Sequence, residues 1–182
     1  MLSPARMIST TQGDVYFCVL SAKSHRKKIG EVLSDVLGQK IEGETMPLDA
    51  FGRPDFSTYG LDVNWTHSRG ICVLAYSFDA KVGVDLEFHK KRTLRLAKRF
   101  FNPEEVAAIE EFNEESLAQG LFYTLWCRKE AYFKCFGGHF FEEALAKSML
   151  AEDASNYSFI EPSLGLLEGD KPYSFCIISA TK

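Results

Sequence analysis

The chain has 182 residues, 46% hydrophobic and 25% charged, which suits one domain or two small halves packed together. Its net charge is −4, so the molecule as a whole is not built to coat nucleic acid or an anionic membrane. No apolar run approaches the roughly 18 residues of a membrane span and the opening residues lack a secretory signal pattern, so a cytoplasmic protein is expected.

Five scattered cysteines, Cys18, Cys72, Cys127, Cys135 and Cys176, contain no C-x-x-C and read as small core residues in a reducing compartment. His25, His67, His89 and His139 show no metal-ligand spacing, so structural zinc is not expected.

Residues 1–13 lack periodicity and are expected to be loosely ordered. Val15, Tyr16, Phe17 and Val19 predict a buried strand over Asp14 to Leu20. A helix follows, with Ile29, Val32, Leu33, Val36 and Leu37 at helical spacing, Ser24 as a possible N-cap and Gly38 as a C′ glycine. Its first turn carries His25, Arg26, Lys27 and Lys28. The helix dipole disfavours cations there, so they are either solvated or set near an anion.

Residues 39–60 are turn-rich and include Gly52-Arg53-Pro54, a cation before a rigid proline turn. Leu61 to Trp65 reads as a short strand running into Asn64-Trp65-Thr66-His67-Ser68-Arg69-Gly70. Ile71 to Phe78 is a predicted strand, and Asp79-Ala80-Lys81 turns it back into Val82 to Phe88, so these two are expected to be antiparallel neighbours in one sheet. Along the second of them Val82, Val84, Leu86 and Phe88 share a core face, which leaves Gly83, Asp85 and Glu87 on the other. Two carboxylates side by side are an incidental pair on a solvated face or a site for a cation; oxygen-only ligands favour Mg²⁺ or Mn²⁺.

The basic run Lys90, Lys91, Arg92, Arg95, Lys98 and Arg99 reads as a solvated face or as a docking surface for an anionic partner. Asn102-Pro103-Glu104-Glu105 predicts a helix start, with Val106, Ile109 and Phe112 as its buried side. After a polar break a long helix runs from Leu121 to Phe136 and is ended by Gly137-Gly138. On a helical wheel Phe122, Leu125, Trp126, Phe133 and Phe136 form one apolar arc. Lys129 falls in its middle, Glu130 and Lys134 line its edge, and Thr124, Arg128 and Ala131 face outward. Taken alone, Glu130 and Lys134 are an ordinary i, i+4 ion pair and Lys129 snorkels. Phe140 to Leu150 is expected to be a loop leading into a short helix. Tyr157 to Ile160 and Tyr173 to Ser179 read as strands joined by a turn over 165–172. The order of elements permits two pseudo-equivalent α+β halves.

Three stretches stand in a fixed order: Asn64-Trp65-Thr66-His67-Ser68, Val82-Gly83-Val84-Asp85-Leu86-Glu87, and Trp126-Cys127-Arg128-Lys129-Glu130-Ala131-Tyr132-Phe133-Lys134. Together they resemble the 4′-phosphopantetheinyl transferases, in particular the monomeric pseudo-dimeric class that activates carrier proteins. The resemblance covers about residues 51–137. It implies an α+β fold of two pseudo-equivalent lobes, residues 1–81 and 82–182, each a small mostly antiparallel sheet packed on a long helix. The active site then lies in the cleft between them, in a single compact unit expected to be monomeric.

The resemblance also implies roles. Asp85, Glu87 and Glu130 would hold Mg²⁺, or Mn²⁺, against the pyrophosphate of coenzyme A, and Lys134 would contact that pyrophosphate and stabilise charge on the leaving phosphate. Glu130, alone or through a metal-bound water, is the expected base for the attacking serine. His67 with Ser68 would contact a coenzyme phosphate, Arg53 would sit near the adenosine end with its 3′-phosphate, and Arg26, Lys27 and Lys28 are further candidates for that phosphate. Thr66 stands where many relatives have serine and keeps the hydroxyl. Lys129 is expected to pair with a buried acceptor.

The expected reaction transfers 4′-phosphopantetheine from coenzyme A to a serine of an apo acyl or peptidyl carrier protein, releasing adenosine 3′,5′-bisphosphate. Such carriers are acidic, which gives the basic run from Lys90 to Arg99 a partner. The alternative is a non-catalytic coenzyme A or carrier-protein binding module that keeps the same pocket. Another Mg²⁺-dependent phosphotransferase lacks support, because no G-x-x-x-x-G-K-[ST] loop occurs.

Overall fold

The computed structural model describes residues 5–90, 93–137, 140–151, 153–162 and 173–182. Lys91 and Arg92 of the basic run, Gly138 of the helix terminator, His139 and the expected turn over 165–172 lie outside them.

Strands β1 (Arg6–Thr10) and β2 (Gly13–Ser21) form a hairpin where loose order was expected over residues 1–13. The short, polar β1 has little strand signal of its own. Its register against β2 supplies the order, and Gly13, at φ 128°, allows the tight turn. Strand β3 (Asp62–Ser68) runs beyond the expected Trp65 and places His67 on a strand. Strand β4 (Ile71–Ser77) pairs with β2 on one side and β3 on the other, giving the order β1-β2-β4-β3.

Both edges of β4 are therefore occupied, and β5 (Lys81–Phe88) is not its partner, contrary to the hairpin expected from the Asp79-Ala80-Lys81 turn. Instead β5 opens a second antiparallel sheet with β6 (Asp153–Ala154), β7 (Tyr157–Ile160) and β8 (Tyr173–Ala180), in the order β5-β8-β7-β6. The turn signal was correct about reversal but carried no information about which strand waited on the other side.

Period-2 alternation sorts the core into layers. Helix α1 (His25–Leu37) buries Ile29 and Leu33 against Cys18, Leu20, Cys72 and Leu74 on one face of the first sheet. The other face, with Val15, Phe17, Val73 and Ala75, meets Val82, Val84, Leu86, Phe175 and Ile177 of the second sheet. Behind the second sheet, Cys176, Ile178 and Ala180 pack with Cys127, Ala131 and Cys135 of the long helix α4 (Glu115–Phe136). The fold is thus α+β with two antiparallel sheets stacked between helices.

Three shorter helices, α2 (Thr93–Phe100), α3 (Pro103–Glu110) and α5 (Phe140–Ala146), lie along the chain on either side of α4. The α3 start is a full capping box, with Asn102 accepting from Glu104 and Glu105 returning to the Asn102 N–H. Ser24 stands at the α1 N-cap but makes no side-chain cap bond there.

Helix α4 begins at Glu115, ahead of the expected Leu121, and two positions expected to face outward are buried: Ala131 and Arg128. A wheel drawn for one apolar arc fails on a helix covered on several sides. The Arg128 guanidinium reaches the Glu161 carboxylate at 2.7 Å and the Met149 carbonyl at 2.8 Å. Lys129, 3% exposed, has the buried acceptor that its position called for: its ammonium lies 2.9 Å from Glu105 Oε2 and donates to the carbonyls of Ala144, Leu145 and Lys147. Among the described residues no helix is long and apolar enough to cross a membrane.

The two sheets meet along β3 and β5 without sharing a backbone ladder. Asp62 Oδ2 accepts from the Val82 N–H at 2.7 Å, Asn64 Oδ1 from Val84 at 3.1 Å, and Ser68 Oγ from Phe88 at 3.3 Å. Side chains of one strand edge satisfy the open N–H groups of the other, which a buried edge requires.

Candidate active site

The second face of β5 is not solvated; it lies against α4. Gly83 makes this approach possible, since a Cβ there would stand 2.1 Å from the Ala131 carbonyl oxygen and 2.7 Å from the Cys135 nitrogen. Backbone contact at Gly83 brings the following Asp85 and Glu87 under Glu130 and Lys134, one helical turn apart.

Lys134 Nζ donates to Asp85 Oδ1 at 2.6 Å and to Thr66 Oγ1 at 3.3 Å, and Thr66 Oγ1 donates to the same Asp85 oxygen at 3.3 Å. Asp85 is 3% exposed, and its Oδ2 is buried without a hydrogen-bond partner among the described residues. Burial raises the Glu130 carboxyl, the Asp85 charge adds to that rise, and Lys134 opposes it. Burial likewise pushes Glu87 up to about 7, with Asp85 and Glu130 adding repulsion against the pull of Lys134 and Lys90. The Cys127 thiol donates to the Ser174 carbonyl, and burial raises it well above the usual thiol range, so it stays neutral and is no nucleophile.

Thr66, Asp85, Glu87, Glu130 and Lys134 share the wall of a cavity of about 410 Å³ with Trp65, His67, Leu86 and Trp126. A second cavity, about 320 Å³ and lined by Phe51, Pro54, Asn64 and Phe133, uses Trp65 and Lys134 as a common wall. Side chains from β3, β5 and α4 thus converge on a double pocket at the junction of the two sheets.

The expected ligand set for a metal is partly assembled. Among the described residues no three His, Cys, Asp or Glu side chains are gathered closely enough to hold a metal ion. The donor chemistry nevertheless fits a hard divalent cation: three carboxylates around one cavity, two of them raised by burial and by the Asp85 charge, and an unpartnered buried oxygen on Asp85 itself.

The remaining expected residues divide into two groups. His67 is exposed on β3 with its ring 4.9 Å from that of His25, which starts α1. Arg26 sits 5.9 Å over the Trp65 ring and donates to the Gly43 carbonyl, while Lys27 is exposed and Lys28 half-buried on the same first turn. His67 lines the cavity, and Arg26 lies over Trp65, another of its lining residues. Ser68, expected beside a phosphate, accepts from the Phe88 N–H. Arg53, expected at the adenosine end, lines the second cavity but turns its guanidinium inward to Asp62. Of the basic run, Lys90, Arg95, Lys98 and Arg99 are exposed, Lys98 pairing with Glu110 at 2.7 Å. The sequence reading missed Thr66 as a bridge between Asp85 and Lys134, and Asp62 and Asn64 as the seam between sheets. Their alternation along β3 was the available signal.

Comparison with known proteins bears on the same residues. The chain is 34% identical over 112 residues to the 4′-phosphopantetheinyl transferase HetI of Nostoc sp., a match covering 58% of this chain and 47% of that protein. It is 30% identical over 121 residues to a 4′-phosphopantetheinyl transferase of Bacillus subtilis, covering 63% of this chain and 53% of that one. With the 4′-phosphopantetheinyl transferase gsp of Aneurinibacillus migulanus it shares 28% identity over 119 residues, covering 63% and 49%. The chain therefore spans about half the length of the curated relatives it matches. The family profile of the 4′-phosphopantetheinyl transferase superfamily matches residues 81–179, more than half of the chain and the whole span from β5 through α4 to β8 that carries Asp85, Glu87, Glu130 and Lys134; the chain belongs to that superfamily.

Proposed function

We propose that this chain transfers 4′-phosphopantetheine from coenzyme A to a serine hydroxyl of an apo acyl or peptidyl carrier protein. The observation that carries this reading is the convergence of Asp85, Glu87, Glu130 and Lys134 on one cavity that His67 also lines. The relatives' names support it from outside the geometry.

In this reading the serine oxygen forms a bond to the phosphorus bearing pantetheine, and the bond from that phosphorus to adenosine 3′,5′-bisphosphate breaks. Asp85, Glu87 and Glu130 would hold Mg²⁺, or Mn²⁺, which would neutralise pyrophosphate charge. Glu130, its carboxyl raised by burial, accepts the serine proton. Lys134, already within 2.6 Å of Asp85, stabilises charge on the departing phosphate. His67, with Arg26, Lys27 and Lys28 of the first turn of α1, binds a coenzyme phosphate, and the two cavities together suit a nucleotide joined to a linear arm. The exposed cations Lys90, Arg95, Lys98 and Arg99 suit an acidic carrier.

The test is intact-mass measurement of apo carriers of the fatty-acid, polyketide and peptide types, each incubated with coenzyme A, Mg²⁺ and this protein. One carrier is expected to gain a single 4′-phosphopantetheine. Unchanged masses across the panel, with calorimetric binding of coenzyme A retained, would favour a non-catalytic binding module instead.

A further inference from the structure

The turn before Pro54 holds an arginine whose surroundings were built for a purpose other than meeting solvent or an anion. Asp49 Oδ1 accepts from the N–H groups of Phe51 and Arg53 at 2.8 and 2.9 Å, and the Asp49 N–H donates to the Arg53 carbonyl at 2.8 Å. With Pro54 restricting the residue before it, the Arg53 backbone is fixed. The guanidinium then forks onto Asp62, Nη1 to Oδ1 at 2.7 Å and Nη2 to Oδ2 at 2.8 Å. Nη2 also donates to the Val82 carbonyl at 2.6 Å, and Nε to the Lys134 carbonyl at 3.0 Å. The pair is largely buried, 17% and 14% exposed at the two side chains.

Two features set this pair apart from a structural ion pair. Asp62 Oδ2 also accepts from the Val82 N–H, so Arg53 and Asp62 together capture both peptide groups of Val82, doing there what a neighbouring strand does elsewhere. The Lys134 carbonyl lies in the last turn of α4, where helix carbonyls lack intrahelical partners and a cation suits the dipole. One guanidinium therefore ties the end of α4 to the start of β5. The side chain of that same Lys134 is bonded to Asp85, three residues along β5 from Val82.

We infer that Arg53 is a positioning residue: a clasp between the lobes that fixes α4 against β5 and so sets Lys134 over Asp85, rather than a ligand for the coenzyme. Its bidentate fork is spent on Asp62, and its charge is already matched, which leaves a poor phosphate site. Lysine at this position keeps the charge but lacks the planar fork whose separate nitrogens span Asp62, the Val82 carbonyl and the Lys134 carbonyl. The inference rests on the transfer reading for its kinetic consequence, though not for its structural one.

The experiment compares Arg53→Lys, Arg53→Gln and Asp62→Asn with the parent chain, using coenzyme A and 3′-dephospho-coenzyme A as donors. The clasp predicts that Arg53→Lys and Asp62→Asn both lower kcat by about tenfold or more, as misplacement of reacting groups does, while KM for coenzyme A and the preference for the 3′-phosphate stay near the parent values. The clasp is overturned by a raised KM and a lost 3′-phosphate preference in Arg53→Lys with kcat intact and Asp62→Asn normal; Arg53 is then a ligand. A second readout needs no turnover. Thermal unfolding of Arg53→Gln, Asp62→Asn and the double variant is expected to be non-additive, the double variant losing little more than either single one. Additive losses overturn the clasp. Should the parent chain transfer nothing, the functional reading falls and the unfolding cycle alone judges the clasp.

Discussion

At the scale of single residues, Glu87 carries an ionisation cost that can be measured. Its folded pKa of about 7 stands above the ordinary 4.5 because burial and the neighbouring Asp85 charge resist ionisation. Between those values the folded chain keeps a proton that the unfolded chain releases, so the Glu87 contribution to stability is present at low pH and is lost as pH climbs from 4.5 through 7. In metal-free buffer Glu87→Gln is expected to raise the melting temperature at about pH 8 and change it little at about pH 5. An equal shift at both values would mean that Glu87 ionises freely in the folded state. The carboxylate pair itself was legible in the sequence, since period 2 alone puts Asp85 and Glu87 on one face. Thr66 was not recognised as a bridge, because its bonds to Asp85 and Lys134 join three elements whose mutual placement is tertiary.

Among elements, the contact of β5 with α4 is decided by a missing side chain. Any Cβ at Gly83 collides with the Ala131 carbonyl and the Cys135 backbone, neither of which can swing away, so the helix has to retreat and take Glu130 and Lys134 with it. Gly83→Ala is expected to cost roughly 1–3 kcal/mol of stability, in the range of overpacked cores, and to depress transfer by more than that loss alone explains. Urea unfolding and the carrier mass assay check the two halves; a variant matching the parent in both would show that the helix tolerates the extra methyl. Strands β2, β4, β5, β7 and β8 and helices α1 and α4 came through from periodicity, while β1 did not and α5 opens the 140–150 segment where a leading loop was expected; the α3 capping box could be read directly from Asn102 to Glu105. Strand partners did not, since β4 and β5 adjoin in sequence yet belong to different sheets. The burial of Arg128 was hidden for a related reason. A wheel assumes one covered side, and Glu161 and the Met149 carbonyl supply a polar lining on another.

For the whole molecule, the shared core between the sheets argues for unfolding as one unit. Val73 and Ala75 of one sheet and Val84 and Ile177 of the other belong to a single apolar cluster, so neither lobe buries its inner face alone. The chain's two tryptophans, Trp65 on β3 and Trp126 on α4, fall one to each lobe and report on both. Trp65→Phe and Trp126→Phe are expected to give fluorescence transitions in denaturant that coincide with each other and with far-ultraviolet circular dichroism. Separate midpoints would show lobes that fold apart. The seam of Asp62, Asn64 and Ser68 on the N–H groups of β5 has a bearing on how such a molecule changes over generations. Backbone ladders are indifferent to which residues occupy them, whereas each bond in this seam is written by one codon. A substitution at any one of the three positions can therefore shift the contact between the sheets one bond at a time, while both backbone ladders stay intact.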